Sequence, residues 1–248
     1  MLALKNDCLA NLYQYWQNLV LGLGGKHWHC DGQSLFDSAM QAPIFSQIFN
    51  AKLANADDLH YLENLSANFF THQHYSWWLK SNPNSQLIPH KARYFGTIPV
   101  MLAKTKKFKL NLPHPLAIID STNSTLQAWE QLFISAWQLS PLEATRYVNA
   151  LANPQLNWRH YSLINHQSNQ VIATATLLLE SKLAGLYNLC VSGVYRRRGY
   201  ATILHKWCLN IANQLGQKYL TLQSTPMGQA LALKLGYQEI TTFEVYCF

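Results

Sequence analysis

Three consecutive arginines, Arg196, Arg197 and Arg198, run straight into Gly199, Tyr200, Ala201 and Thr202. That order suits the capture of a phosphorylated ligand. An apolar stretch leads into the turn and a helical pattern opens at its end. The first N–H groups of a helix have no partner within it, and the helix dipole adds positive potential where they converge. Gly199 has no Cβ, so a pyrophosphate can approach the backbone. Ala201 keeps the next position small, and the guanidinium groups add charge and donors. Alone, a triple-arginine turn is more often a solvated surface, so its context decides.

The elements around the turn are well marked. Trp158–Asn165, Val171–Leu179 and Leu186–Val191 read as strands separated by polar turns, His166–Asn169 and Glu180–Lys182. A helix is expected from Gly199 to Leu215, with Leu204, Trp207, Cys208, Ile211 and Leu215 on one face. Gly216 suits its end. Tyr219–Gln223 is a strand, Gly228–Leu235 a short helix closed by Gly236, and Ile240–Tyr246 a last strand. The order β-β-β-α-β-α-β is an α+β arrangement.

Upstream, Leu2–Leu23 has helical spacing. Leu87–Ile88, Tyr94–Leu102 and Leu116–Ile119 look like strands between turn-rich segments such as Ser81–Ser85. Residues 120–124 offer caps for a helix to about Leu139, and Ser140-Pro141 opens another to about Leu151. The expected division is 1–145 and 146–248.

Length and composition bound the function. The 248 residues suffice for two domains, and 49% are hydrophobic while only 12% are charged. A net charge of +7 favours anionic partners without choosing among them. Five widely spaced cysteines without C-x-x-C point to a reduced, intracellular chain. No signal peptide is apparent and no window nears the ~20 apolar residues of a membrane span, so the expected location is the cytoplasm.

The segment Leu186–Thr202 resembles the signature of the GNAT superfamily of acyltransferases, Q/R-x-x-G-x-G/A, met here as Arg196-x-x-Gly199-x-Ala201. Leu220–Gly228 and Leu233-Lys-Leu-Gly-Tyr237 resemble the fifth strand, the fourth helix and the L-G-F/Y turn of these enzymes. The likeness covers about Asn157–Phe248. It implies a GNAT-like mixed sheet with flanking helices, split between its fourth and fifth strands to take the pantetheine arm of acetyl-CoA. Leu189 and Val191 would hydrogen-bond that arm, and Arg196, Arg197, Arg198, Gly199, Tyr200, Ala201 and Thr202 would hold the pyrophosphate. The first half more loosely resembles the degenerate N-terminal GNAT-like domain of tandem members, through Tyr75–Trp78, Phe95-Gly96 and Met101.

The resemblance implies an N-acetyltransferase in which an amine, on a small molecule or a peptide, attacks the thioester directly. A backbone N–H at Leu189 or Val191 would stabilise the oxyanion. Two positions depart from the common pattern. Ala232 stands where many members carry a tyrosine acid, and Gly185 where one branch places a glutamate base. Tyr187 on the fourth strand and Ser224 after the fifth are the candidate catalytic substitutes, with Glu180 as a distant base. The plainer readings are a packed aromatic, a helix-capping hydroxyl and a solvated charge. The alternative function is a non-catalytic acyl-CoA-binding or regulatory module.

Other chemistry-bearing residues fit plain roles better. His27-x-His-Cys-Asp31 and His72-x-His74, the latter expected on one strand face, lack companion ligands at a metal-site spacing, so no metal is expected. Cys190 reads as a small buried residue. Lys104–Lys109 reads as a solvated edge strand, and nucleic-acid binding through it and the arginines is a weaker third option.

Overall fold

The computed structural model describes residues 2–30, 32–72, 74–80, 89, 91–180 and 183–248. The expected turn at Ser81–Ser85, the strand Leu87–Ile88, Asp31 and Lys182 lie outside them. The helices are α1 (Leu2–Gly22), α2 (Ala56–Phe69), α3 (Asn123–Gln127), α4 (Trp129–Trp137), α5 (Pro141–Leu151), α6 (Tyr200–Gln214) and α7 (Pro226–Lys234). The strands are β1 (Lys26–Cys30), β2 (Gln33–Asp37), β3 (Gln47–Ala51), β4 (Ser76–Lys80), β5 (Arg93–Lys104), β6 (Leu116–Asp120), β7 (Trp158–Asn165), β8 (Gln170–Leu179), β9 (Ala184–Val191), β10 (Tyr219–Gln223) and β11 (Gln238–Cys247). The protein is α+β, and each of its two compact units carries a mixed sheet.

The first unit comprises residues 1–12 and 101–238. Its strands run in the order β10-β9-β8-β7-β6, with the last residues of β5 beside β10. Neighbours from β6 to β9 are antiparallel, whereas β9 and β10 are parallel. Leu204, Cys208, Leu209 and Ala212 of α6 are buried in one core with Leu163, Ala175, Leu177, Leu186 and Leu220. Of the face expected from spacing, Leu204 and Cys208 are buried, Trp207 and Ile211 pack against the core partly buried, and Leu215 is exposed; Leu209 and Ala212 complete the buried face instead. Ser140 caps α5 in a capping box, its hydroxyl accepting from the Glu143 N–H while Glu143 accepts from the Ser140 N–H.

The second unit comprises residues 13–100 and 239–248. Its strand order is β1-β2-β3-β4-β11, followed by the first part of β5. Here β3 and β4 are parallel and the pairs β1/β2, β2/β3 and β4/β11 antiparallel. Asn55 caps α2, accepting from the Asp58 N–H. Leu59 and Leu62 of that helix are buried with Leu35, Ile48 and Trp77.

Compactness cuts the chain at other places than the expected division 1–145 and 146–248. Helices α3–α5 pack in the first unit, and β5 belongs to both units because its two ends join different strands. The single helix expected up to Leu139 is two, with a break at Ala128 before the buried Trp129, whose Nε1 donates to Ser162 Oγ at 2.8 Å. His72 and His74 precede β4 and share no strand. Lys104–Lys109 is not an edge strand: β5 stops at Lys104, and the Phe108 backbone is held instead by the Asn210 side chain, at 2.7 and 3.0 Å.

Candidate functional site

The arginine turn begins where β9 ends. After Val191 a single 3-10 turn, Gly193–Tyr195, leads to Arg196, whose Nε donates to the Val191 carbonyl at 3.2 Å. Arg197 takes φ 64° and Gly199 φ 82°, both left-handed. Left-handed residues in such a turn gather successive N–H groups into a concavity suited to anions. The first intrahelical bond of α6 runs from the Ile203 N–H to the Gly199 carbonyl. The N–H groups of residues 197–202 find no protein acceptor among the described residues. Nothing stands within 4 Å of where a Cβ on Gly199 would be. Glycine is therefore required by backbone conformation, and the space beside it is open. All three arginines are exposed, with Arg198 set 5.5 Å from the Tyr195 ring centre.

The turn continues into a split in the sheet. The parallel register of β9 and β10 is confined to Leu220↔Ala184 and Thr221↔Gly185. Beyond these pairs Leu186–Val191 has lost its partner on that side, so ladder groups are left for a ligand. A cavity of about 230 Å³ opens there, walled by Leu186–Leu189 on one side and Leu222–Thr225 on the other, with His205 of α6 and Leu231 of α7.

A bulge shapes the β9 wall. Thr174 pairs with Cys190 and Thr176 with Tyr187, so Asn188 and Leu189 together face the single residue between. Asn188 takes φ 53°. Its side chain is fixed in a directional chain of hydrogen bonds. Tyr147 donates to Asn188 Oδ1 at 2.9 Å, and Asn188 Nδ2 to Thr176 Oγ1 at 3.1 Å. Thr176 Oγ1 lies 2.9 Å from His160 Nδ1, and His160 Nε2 lies 3.0 Å from the Leu151 carbonyl. A carbonyl only accepts, so Nε2 carries the proton and Nδ1 accepts from Thr176. Burial lowers the His160 pKa to about 4, keeping the ring neutral.

The expected site residues fall unevenly. Leu189, Tyr187 and Ser224 all line the cavity, whereas Val191 does not. Tyr187 is 7% exposed, and its hydroxyl donates to Asn11 Oδ1 at 2.7 Å. Ser224 is not the helix cap; Thr225 is, its hydroxyl accepting from the Gly228 N–H, while Ser224 Oγ donates to the Thr225 carbonyl. Glu180 follows the end of β8 and is not among the residues lining the cavity, and burial raises its carboxyl pKa. Ala232 is buried in the core. Cys190 is buried and its thiol is pushed up to about 12, which keeps it protonated. Among the described residues no group of three or more His, Cys, Asp or Glu could hold a metal, and no helix is long and apolar enough to cross a membrane.

One wall residue escapes the sequence reading. His205 is 1% exposed, and its Nε2 lies 2.8 Å from the Tyr237 hydroxyl. The available signal was its spacing, three residues before Cys208 on the buried face of α6.

Comparison with known proteins agrees with this architecture. Residues 124–237 match the family model described as the acetyltransferase (GNAT) family. A GCN5-related N-acetyltransferase from Kribbella flavida superposes with a TM-score of 0.64 at 12% identity, covering 94% of each chain. A functionally unknown conserved protein from Staphylococcus epidermidis gives 0.66 at 10% identity, over 91% of this chain and 94% of that one. A tandem GNAT protein from the clavulanic acid biosynthesis pathway gives 0.58 at 10% identity, over 89% and 80%. No curated protein matches the sequence. At such identities the likeness is one of fold. The split strands, the bulge and the helix mouth thus stand in a protein built on the GNAT acetyltransferase fold, with the family match running from residue 124 to residue 237.

Proposed function

We propose that this protein is an N-acetyltransferase that moves an acetyl group from acetyl-CoA to an amine of a small molecule or peptide, acting in the cytoplasm. The observation that carries the reading is the row of N–H groups at residues 197–202 that find no acceptor among the described residues, continuous with the unpaired edge of β9. The residues fit the cofactor. Exposed Arg196–Arg198 and the amides up to Thr202 suit a diphosphate, and the open side of Gly199 admits it. The cavity of about 230 Å³ is smaller than the roughly 300–1,000 Å³ of whole small-molecule sites, which suits one arm of a larger ligand.

Bound acetyl-CoA would supply an activated acetyl thioester. Leu189 at the bulge would offer its N–H to the developing oxyanion. Tyr187 and Ser224, which line the cavity, would be the candidate hydroxyls for proton movement. The N-terminal part, residues 1–145, is proposed as a degenerate GNAT-like domain that has lost cofactor binding, since no Q/R-x-x-G-x-G/A segment occurs before residue 150.

The test is calorimetry with acetyl-CoA on wild-type protein and on Arg197→Glu combined with Gly199→Glu. Binding by the wild type and none by the variant is expected; micromolar binding retained by the variant would overturn the reading. A second reading, a non-catalytic acyl-CoA-binding module, is favoured by Gly185 and by the burial of Ala232 in the core. Thiol release from acetyl-CoA across a panel of amines separates the two, because a pure binder releases none.

A further inference from the structure

Two residues lining the cavity between β9 and β10, His205 and Gln223, each carry a buried side-chain nitrogen that finds no hydrogen-bond partner among the described residues. His205 is 1% exposed, and its Nδ1 has no hydrogen-bond partner among the described residues. The Gln223 side-chain nitrogen, of a residue on the facing β10 wall, is likewise buried without a partner among the described residues. Leaving a buried polar group unpaired is costly, so two beside one small cavity point to a ligand that completes them.

The Tyr237 contact settles what Nδ1 offers. Burial pushes the Tyr237 phenol well above its ordinary value and lowers His205 to about 3, so both groups are neutral. If the Tyr237 hydroxyl donates to Nε2, the ring proton sits on Nδ1 and one donor is left over. The opposite direction strands both the phenol proton and the Nδ1 lone pair. The first arrangement leaves fewer groups unmade, so Nδ1 presents an N–H. That N–H is a donor and not an acid. Giving its proton away would require Nε2 to take the Tyr237 proton and leave a buried phenolate.

We infer that His205 is a binding residue for the acyl-thioester arm, its Nδ1–H donating to a carbonyl oxygen of that ligand in the β9/β10 split. The inference rests on the cofactor reading above and adds to it a contact to the arm rather than to the nucleotide.

The test compares acetyl-CoA with adenosine 3′,5′-bisphosphate, which lacks the arm, by calorimetry on wild type, His205→Leu and His205→Asn. His205→Leu is expected to weaken acetyl-CoA about tenfold and leave the bisphosphate unchanged. His205→Asn, whose amide nitrogen falls near Nδ1, should recover most of the loss. If the leucine variant does not fold, His205→Gln, which reaches the Nε2 position instead, takes its place. Nitrogen-15 NMR should show the Nδ1–H tautomer, with a shift on adding acetyl-CoA. Acetyl-CoA affinity within twofold of wild type in His205→Leu, equal loss of both ligands, or an Nε2–H tautomer would each overturn the inference alone. A wild type that binds neither ligand overturns the cofactor reading and this inference with it.

Discussion

Asn11 Oδ1 lies 2.0 Å from where a Cβ on Gly185 would stand, with Tyr187 Cε2 at 2.5 Å. The absence of a side chain at 185 is thus a packing requirement, because the α1 amide fills the place. The same Asn11 oxygen accepts from the Tyr187 hydroxyl, so one side chain sets both residues. Gly185→Ala is expected to cost about 2 kcal/mol, in the range for inserting atoms into a filled core. Asn11→Ala frees that space. Denaturant unfolding of the double variant should therefore show a loss smaller than the sum of the single losses.

Tyr187→Phe tests the candidate proton carrier separately from its packing. The ring stays and the bond to Asn11 goes, so stability should fall by about 1 kcal/mol. Acetyl-CoA affinity should hold while kcat drops at least tenfold, as for loss of a general acid. An unchanged kcat would leave Tyr187 as a buried aromatic only.

The left-handed backbone at Arg197 is a strain that glycine would relieve. Arg197→Gly should raise stability by about 0.5–1 kcal/mol, since a non-glycine residue in that region is disfavoured by a similar amount. Acetyl-CoA binding should weaken in the same variant through the lost guanidinium. Thermal unfolding and calorimetry on one sample would read the two opposite changes, the pattern expected where strain serves a site.

The buried His160 makes stability depend on pH. Its folded pKa is about 4, against an ordinary value of 6.5. The unfolded chain therefore binds a proton that the folded one refuses between these values. Stability is full above about pH 6.5 and falls as the pH drops toward 4, by about 3 kcal/mol in total. His205, lowered to about 3, acts in the same direction. His160→Gln retains a donor for the Leu151 carbonyl and removes the titration. Urea unfolding at stepped pH should show a shallower slope for it between pH 4 and 6.5, and an equal slope would contradict the assignment.

Much of the first unit was legible from residue types. The strands from Trp158 to Val191, the helix opening at Gly199 and the N-cap with its following proline at Ser140-Pro141 follow from local periodicity and turn chemistry, which act within a few residues. In the second unit β1, β2 and β3 went unread. They are five residues each and carry histidine, lysine, glutamine or asparagine among their apolar positions, so no alternation stands out.

By itself the sequence determined the helix mouth after three arginines, the glycine without a Cβ that opens it, and the alternation of strands and helices around it. These depend on neighbours in the chain. Only the tertiary structure decided that Asn11 fills the place beside Gly185, that a bulge at Asn188 is tied through Thr176 to His160, and that His205 meets Tyr237 at the wall of the split. Those contacts join residues 12 to 174 positions apart, and their partners are chosen by packing in three dimensions. No period along the chain records such a choice.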